Sequence, residues 1–264
     1  MAGDQTAIPP LESLISLSGR TAIVTGGARG IGAAIVHRFN EAGATTFAVD
    51  TAQPAGGADP DSLLSHDVTD PSASEVVAQT AIDRTGRLDI WVNNAGVYPS
   101  APLLEMTDAA WQTVLDLNLT AAFRGGRAAA RAMADAGKSG GVIVNIVSNA
   151  GMAAGPASAH YVASKHGLAG LTKSMAVDLA PHGIRAVGVA PGVTRSDGLV
   201  DKMAELEAAG WGDLDDYAAR TIPLGRMADP DEIARVVLFA ASDLAAYISG
   251  TTIVADGGQL TSFT

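Results

Sequence analysis

Seven short apolar runs punctuate the chain, at residues 21–25, 45–50, 63–67, 88–93, 142–147, 184–189 and 252–255, and most are separated by stretches with helical periodicity. This alternation constrains the fold more than any other feature. Strand, helix and strand in succession make a parallel pair, and a series of such units builds an open sheet covered by helices on both faces. The expected architecture is α/β, a doubly wound parallel sheet of about seven strands in one domain spanning residues 19–264. Residues 1–18, with Pro9, Pro10 and scattered Ser, keep no sustained period and read as an arm laid over the surface or left loose. One connection is lean. Only residues 51–62 join the second and third runs, and Pro54, Gly56, Gly57 and Pro60 lie among them, so a loop is expected in place of a crossover helix.

Composition narrows what such a sheet could serve. A net charge of −11 argues against nucleic acid, whose binding draws on clustered Lys and Arg. With no Cys, neither disulfides nor thiolate metal sites are available, and the spacing of His37, His66, His160, His166 and His182 offers no metal motif, so no metal is expected. The first cation is Arg20, and no apolar run approaches the roughly 20 residues of a membrane span. No membrane partner is expected, and a cytoplasmic location is the default.

The first apolar run leads into Thr25-Gly26-Gly27-Ala28-Arg29-Gly30-Ile31-Gly32 and then directly into an amphipathic stretch. Glycines let the backbone approach a pyrophosphate, whose charge is met by free N–H groups and the positive end of the helix. The second run ends in Asp50, placed where a carboxylate can accept from both ribose hydroxyls of a dinucleotide. Facing a 2′-phosphate, the same carboxylate would repel it, so a Rossmann-type sheet holding NAD rather than NADP is expected. Arg29 could pair with a phosphate, but Thr51 and Ala52 supply no cation beside Asp50.

Tyr161 and Lys165 stand four apart in a helical stretch and share one face. A phenol has a reference pKa near 10, and an ammonium about 4 Å away at an effective dielectric of 20 would contribute on the order of 4 kcal/mol, about three pH units. Such a pair can work as an acid or base near neutrality. Ser148 follows the 142–147 run at a strand's carboxyl end, where open α/β sheets bind ligands, and could donate to a substrate oxygen or be an ordinary loop serine.

Taken in order, the 25–32 loop, Asp67-Val68, Asn93-Asn94-Ala95-Gly96, Asn118, Ser148, Tyr161-x-x-x-Lys165 and Pro191-Gly192-Val193-Thr194 resemble the short-chain dehydrogenase/reductase family over about residues 18–258. The resemblance implies a tetrad of Asn118, Ser148, Tyr161 and Lys165. In it Tyr161 exchanges a proton with the carbonyl or alcohol oxygen and Ser148 holds that oxygen. Lys165 binds the nicotinamide ribose, and Asn118 places a water that links Lys165 to solvent. Cofactor contacts are implied for Gly26, Arg29, Gly30, Ile31, Gly32, Asp50, Asp67 and Val68 beside the adenine, for Asn94, Ala95 and Gly96, and for Pro191, Gly192, Val193 and Thr194 at the carboxamide. Here Asn149 follows Ser148 where relatives often have a second serine. Pairing of helices rich in small residues across subunits implies a homotetramer.

Residues 195–223 form a long excursion beside this site, readable as a lid with Gly hinges or as two permanently packed surface helices. Tyr98, Met152, Leu199 and Trp211 would line a mostly apolar pocket. The expected activity is NAD(H)-dependent interconversion of a hydrophobic secondary alcohol and its ketone. The alternatives are 3-oxoacyl thioester reduction and a non-catalytic NAD-binding module.

Overall fold

A computed structural model describes residues 8–52, 62–135, 140–200 and 212–261. Its strands are β1 (Thr21–Thr25), β2 (Thr45–Asp50), β3 (Leu63–Ser65), β4 (Ile90–Asn93), β5 (Gly141–Ile146), β6 (Ile184–Pro191) and β7 (Thr252–Ala255). They form one parallel sheet in the order β3-β2-β1-β4-β5-β6-β7. The helices are α1 (Leu11–Ile15), α2 (Gly30–Glu41), α3 (Ala73–Thr85), α4 (Asp108–Leu115), α5 (Ala121–Asp135), α6 (Ala159–Leu179), α7 (Asp197–Val200), α8 (Leu214–Thr221) and α9 (Pro230–Ala241). The expected doubly wound sheet is the observed one.

Central strands are mostly apolar runs because both of their faces are covered. β1 and β4 are buried at every residue. On one face Val24, Ile90, Val92 and Val144 pack with Ile35 and Phe39 of α2 and Ile233 and Val237 of α9. On the other, Ile23, Trp91 and Ile143 pack with Val77 and Ala81 of α3, Ala129 and Met133 of α5, and Met175 of α6. At roughly 1.5–3 kcal/mol for each large apolar side chain removed from water, these two layers dominate the stabilisation.

The chain runs outward from β1 to β3 and returns to β4 beside β1, which opens a crevice at the strands' carboxyl ends. Sequence and structure differ in two places. β3 stops at Ser65 rather than at 67, because the carboxylate of Asp67 is spent on Thr69, whose N and Oγ1 donate to it at 2.8 and 2.7 Å. In the arm, α1 is a single helical turn, and Leu17 is fully buried with its N–H on the Ala42 carbonyl at 2.8 Å. The helix-free connection expected after Asp50 falls mostly on residues 53–61, outside the described residues. Among the described residues no helix is long and apolar enough to cross a membrane, and no group of His, Asp and Glu could hold a metal ion.

Candidate active site

The glycine loop is shaped by contacts that no side chain could share. A Cβ at Gly32 would lie 1.9 Å from the Gly26 carbonyl oxygen, and one at Gly26, whose φ is +64°, would meet Ala95 Cα at 2.9 Å. Asn94 fixes the loop against the end of β4, its Nδ2 donating to the carbonyls of Thr25 and Gly26 at 2.9 and 3.0 Å. Thr25 completes the clamp, since its Oγ1 accepts from the N–H groups of Asn94 and Ala95. Thr25 was not singled out from the sequence; a hydroxyl at the last residue before the glycines is the signal that could have found it.

Asp50 ends β2 beside this loop, with Oδ2 accepting from Ala28 N at 3.1 Å and Oδ1 from Ala52 N at 3.0 Å. Backbone donors therefore hold the carboxylate at the loop's edge with lone pairs to spare. Gly30 N, at the first turn of α2, donates to Asp197 Oδ2 at 3.0 Å. Arg29 caps that helix and is exposed, whereas Ile31 packs into the core. At the far side Thr194 Oγ1 donates to the Gly192 carbonyl at 3.1 Å, and a Cβ at Gly192 would lie 2.8 Å from Asp256 Cα.

The catalytic candidates converge from three elements. α6 buries the stripe His160, Ser164, Lys165, Leu168, Thr172 and Met175, which is polar at its N-terminal end. Lys165 is 5% exposed, and its Nζ donates to the Ile146 carbonyl at 2.8 Å and lies 5.7 Å from the centroid of the Tyr161 ring. Tyr98 meets Tyr161 edge-on at 6.2 Å, and Ser148, at the end of β5, lies near enough to favour the ionised Tyr161 phenol. Asn118 sits in a π-helical turn, Asp116–Thr120, between α4 and α5. Such one-turn bulges often mark functional positions because they break the regular backbone ladder.

Asn118 is 1% exposed, and its Oδ1 accepts from Val97 N at 2.8 Å while Nδ2 donates to the Val97 carbonyl and to Ser164 Oγ at 2.8 and 3.2 Å. The side chain is thus occupied in fixing the 97 loop against α6. His160 Nδ1 accepts the Tyr161 N–H at 2.8 Å, and burial lowers the imidazole's pKa.

The electrostatics correct one expectation. Burial pushes the Tyr161 phenol above its usual value, opposed by the Ser148 hydrogen bond and reinforced by Tyr98. Burial also pulls Lys165 down to about 8. A nearby ammonium was expected to bring the phenol toward neutrality, but in the protein alone desolvation penalises both charged forms and the phenol rises instead.

The four pocket candidates separate. Tyr98 touches the site through Tyr161, and its Oη would be 3.0 Å from a Cβ at Gly198 of α7. Met152 is 41% exposed at the end of the Asn149–Gly151 turn. Leu199 packs with Val193 onto Leu214, Ala218, Ile222 and Met227, an apolar cluster beneath α8, because the amphipathic α8 needs that side chain to cover its inner face. That packing ties Leu199, which is partly buried, to the apolar cluster under α8. Trp211 lies outside the described residues, as do residues 201–210 of the same excursion.

A family model described as Enoyl-(Acyl carrier protein) reductase matches residues 26–259. The 3beta-hydroxysteroid dehydrogenase 2 of Eggerthella lenta is 37% identical over 252 residues, covering 92% of this chain and 95% of that protein. The 3-oxoacyl-[acyl-carrier-protein] reductase FabG of Vibrio harveyi is also 37% identical, over 93% of this chain and 99% of its own length. Among solved structures, a candidate NAD(P)-dependent gluconate 5-dehydrogenase from Beutenbergia cavernae, with NADP bound at low occupancy, is 33% identical with a TM-score of 0.82, covering 94% of this chain and all of that one.

Proposed function

The chain belongs to the short-chain dehydrogenase/reductase family and is an oxidoreductase, and from that premise we propose that it interconverts a hydrophobic secondary alcohol and its ketone with NAD(H). The observation that carries the cofactor choice is the Asp50 carboxylate, held by Ala28 N and Ala52 N at the rim of a glycine cradle that a Cβ at Gly32 would fill. A ribose with a free 2′-OH donates to that carboxylate, whereas a 2′-phosphate is repelled by it. Gly26, Gly30 and the first turn of α2 would face the pyrophosphate, Asp67 and Val68 the adenine, and Asn94, Lys165 and residues 191–194 the nicotinamide half.

When bound, the nicotinamide supplies the hydride acceptor or donor. Ser148 holds the substrate oxygen, and Tyr161 takes its proton in oxidation or returns it in reduction. Lys165 supports the ionised phenol and the ribose, and the π-turn at Asn118 shapes the route by which a proton leaves Lys165. Tyr98 and Met152 give the substrate side an apolar wall, which fits a hydrophobic alcohol and agrees with the steroid dehydrogenase likeness. The exposed face of α5 and α6, with Phe123 43% accessible, supports self-association as a homotetramer.

The FabG likeness favours a second reading, 3-oxoacyl thioester reduction. That chemistry calls for NADPH and an acidic carrier, which Asp50 and a net charge of −11 disfavour. Steady-state rates with each cofactor, over a panel of hydrophobic secondary alcohols, 3-hydroxysteroids among them, separate the two. NAD should win by roughly tenfold or more, the worth of one charge-assisted hydrogen bond. Equal or better turnover with NADP overturns the cofactor assignment. Tyr161→Phe should slow the reaction at least about a hundredfold.

A further inference from the structure

The catalytic serine is tied to the C-terminal turn and to α8 by a string of side chains that the mechanism does not use. Ser148 Oγ accepts from Ala150 N at 3.1 Å and donates its proton to Asn149 Oδ1 at 3.1 Å. Asn149 Nδ2 donates to Gln259 Oε1 at 2.8 Å, and Gln259 Nε2 points at Tyr217 Oη of α8 at a longer 3.5 Å. Gln259 is itself held firmly: Asp256 accepts from the N–H groups of Gly258 and Leu260 on either side of it, at 2.9 and 2.8 Å.

A serine hydroxyl has one proton and two lone pairs. With the proton on Asn149 and one lone pair on Ala150, the remaining lone pair can only accept, which suits a protonated Tyr161. When Tyr161 ionises, or a carbonyl oxygen arrives, the proton must swing from Asn149 to that oxygen. The Asn149 carbonyl is therefore the resting position of the rotor, and the bond to Gln259 keeps that carbonyl, rather than the amide NH2, turned toward Ser148.

Building on the proposed function, we infer that Asn149, anchored by Gln259, is a positioning residue that sets the direction of the Ser148 hydroxyl and so the readiness with which Tyr161 gives up its proton. The titratable groups facing Tyr161 are Lys165 on its own helix, Tyr98 across the ring edge and His160 at its amide. None of them touches Asn149 in the hydrogen-bond string.

The test is an ultraviolet titration of the full-length protein. The Tyr161 signal is isolated by subtracting the same variant carrying Tyr161→Phe, and alcohol oxidation is followed alongside. In Asn149→Ala the Ser148 proton is free for the phenolate, and Tyr161 should titrate lower by about 0.7 of a pH unit, the worth of one hydrogen bond. Asn149→Asp should move it the other way, since a carboxylate holds the serine proton more tightly and adds like charge. Gln259→Leu should move it downward by less, because Asn149 is then free to turn. In Asn149→Ala the rising limb of kcat for alcohol oxidation against pH should move down by the same amount as the titration, with KM within about twofold.

An unchanged titration in all three variants, or a shift of the same sign for Asn149→Ala and Asn149→Asp, overturns the inference. If the Asn149 variants do not fold, Gln259→Leu decides it alone. Absence of turnover on every alcohol and ketone in the wild type would sink the proposed function and leave the titration to judge this inference separately.

Discussion

Replacing Lys165 with Met keeps the length of the side chain and removes its charge. The ammonium lies 5.7 Å from the Tyr161 ring centroid, so at an effective dielectric of 20 its interaction with a phenolate is about 3 kcal/mol, or about two pH units. Both groups are disfavoured as ions, with Lys165 lowered to about 8 and the phenol raised. A cationic nicotinamide nearby favours taking the pair's first proton from the phenol rather than from the ammonium. Without Lys165 the phenol keeps its burial penalty and loses its counter-charge. Oxidation needs the phenolate, so the rising limb of kcat/KM against pH should move about two units upward and the rate at pH 7 should fall about a hundredfold. Reduction needs the protonated phenol and should persist to higher pH in the variant. The assay is NADH formation from a secondary alcohol, followed from pH 6 to 11. A rising limb within about 0.3 of a unit of the wild type would refute the electrostatic coupling, whatever happened to the absolute rate.

Two further outcomes follow from the glycine cradle. Asp197 accepts from Gly30 N at the N-terminus of α2, where the cofactor's pyrophosphate is expected, so the carboxylate competes for that donor. Asp197→Asn should tighten NAD binding about threefold to tenfold by calorimetry, the worth of a charge near a helix terminus, and unchanged or weaker binding would show that the two anions do not compete. A Cβ at Gly32 would sit 1.9 Å from the Gly26 carbonyl oxygen, so Gly32→Ala must open the loop at a cost of roughly 1–3 kcal/mol; NAD affinity at wild-type level would contradict that geometry.

The sheet was legible in the sequence because its central strands are buried on both faces and are therefore mostly apolar, with Thr21, Thr25, Asn93 and Asn145 as buried polar exceptions in β1, β4 and β5. The tyrosine and lysine were legible for a similar reason, since a spacing of four on a helix is itself a statement about geometry. What surrounds them was not. Lys165 loses its water to a carbonyl 19 residues upstream and falls to about 8, and the phenol's own burial turned its expected depression into a rise. Gln259 reaches Asn149 from 110 residues away and Asp197 reaches Gly30 from 167, and in neither case does a local pattern mark the pair. A sequence thus places ionisable groups on elements, whereas the tertiary fold sets the dielectric and the donors around each one. The residues proposed to tune the chemistry, Asp197, Tyr217 and Gln259, accordingly lie on the 195–223 excursion or at the turn after β7. Substitutions there should alter pH dependence and cofactor affinity before they alter the fold.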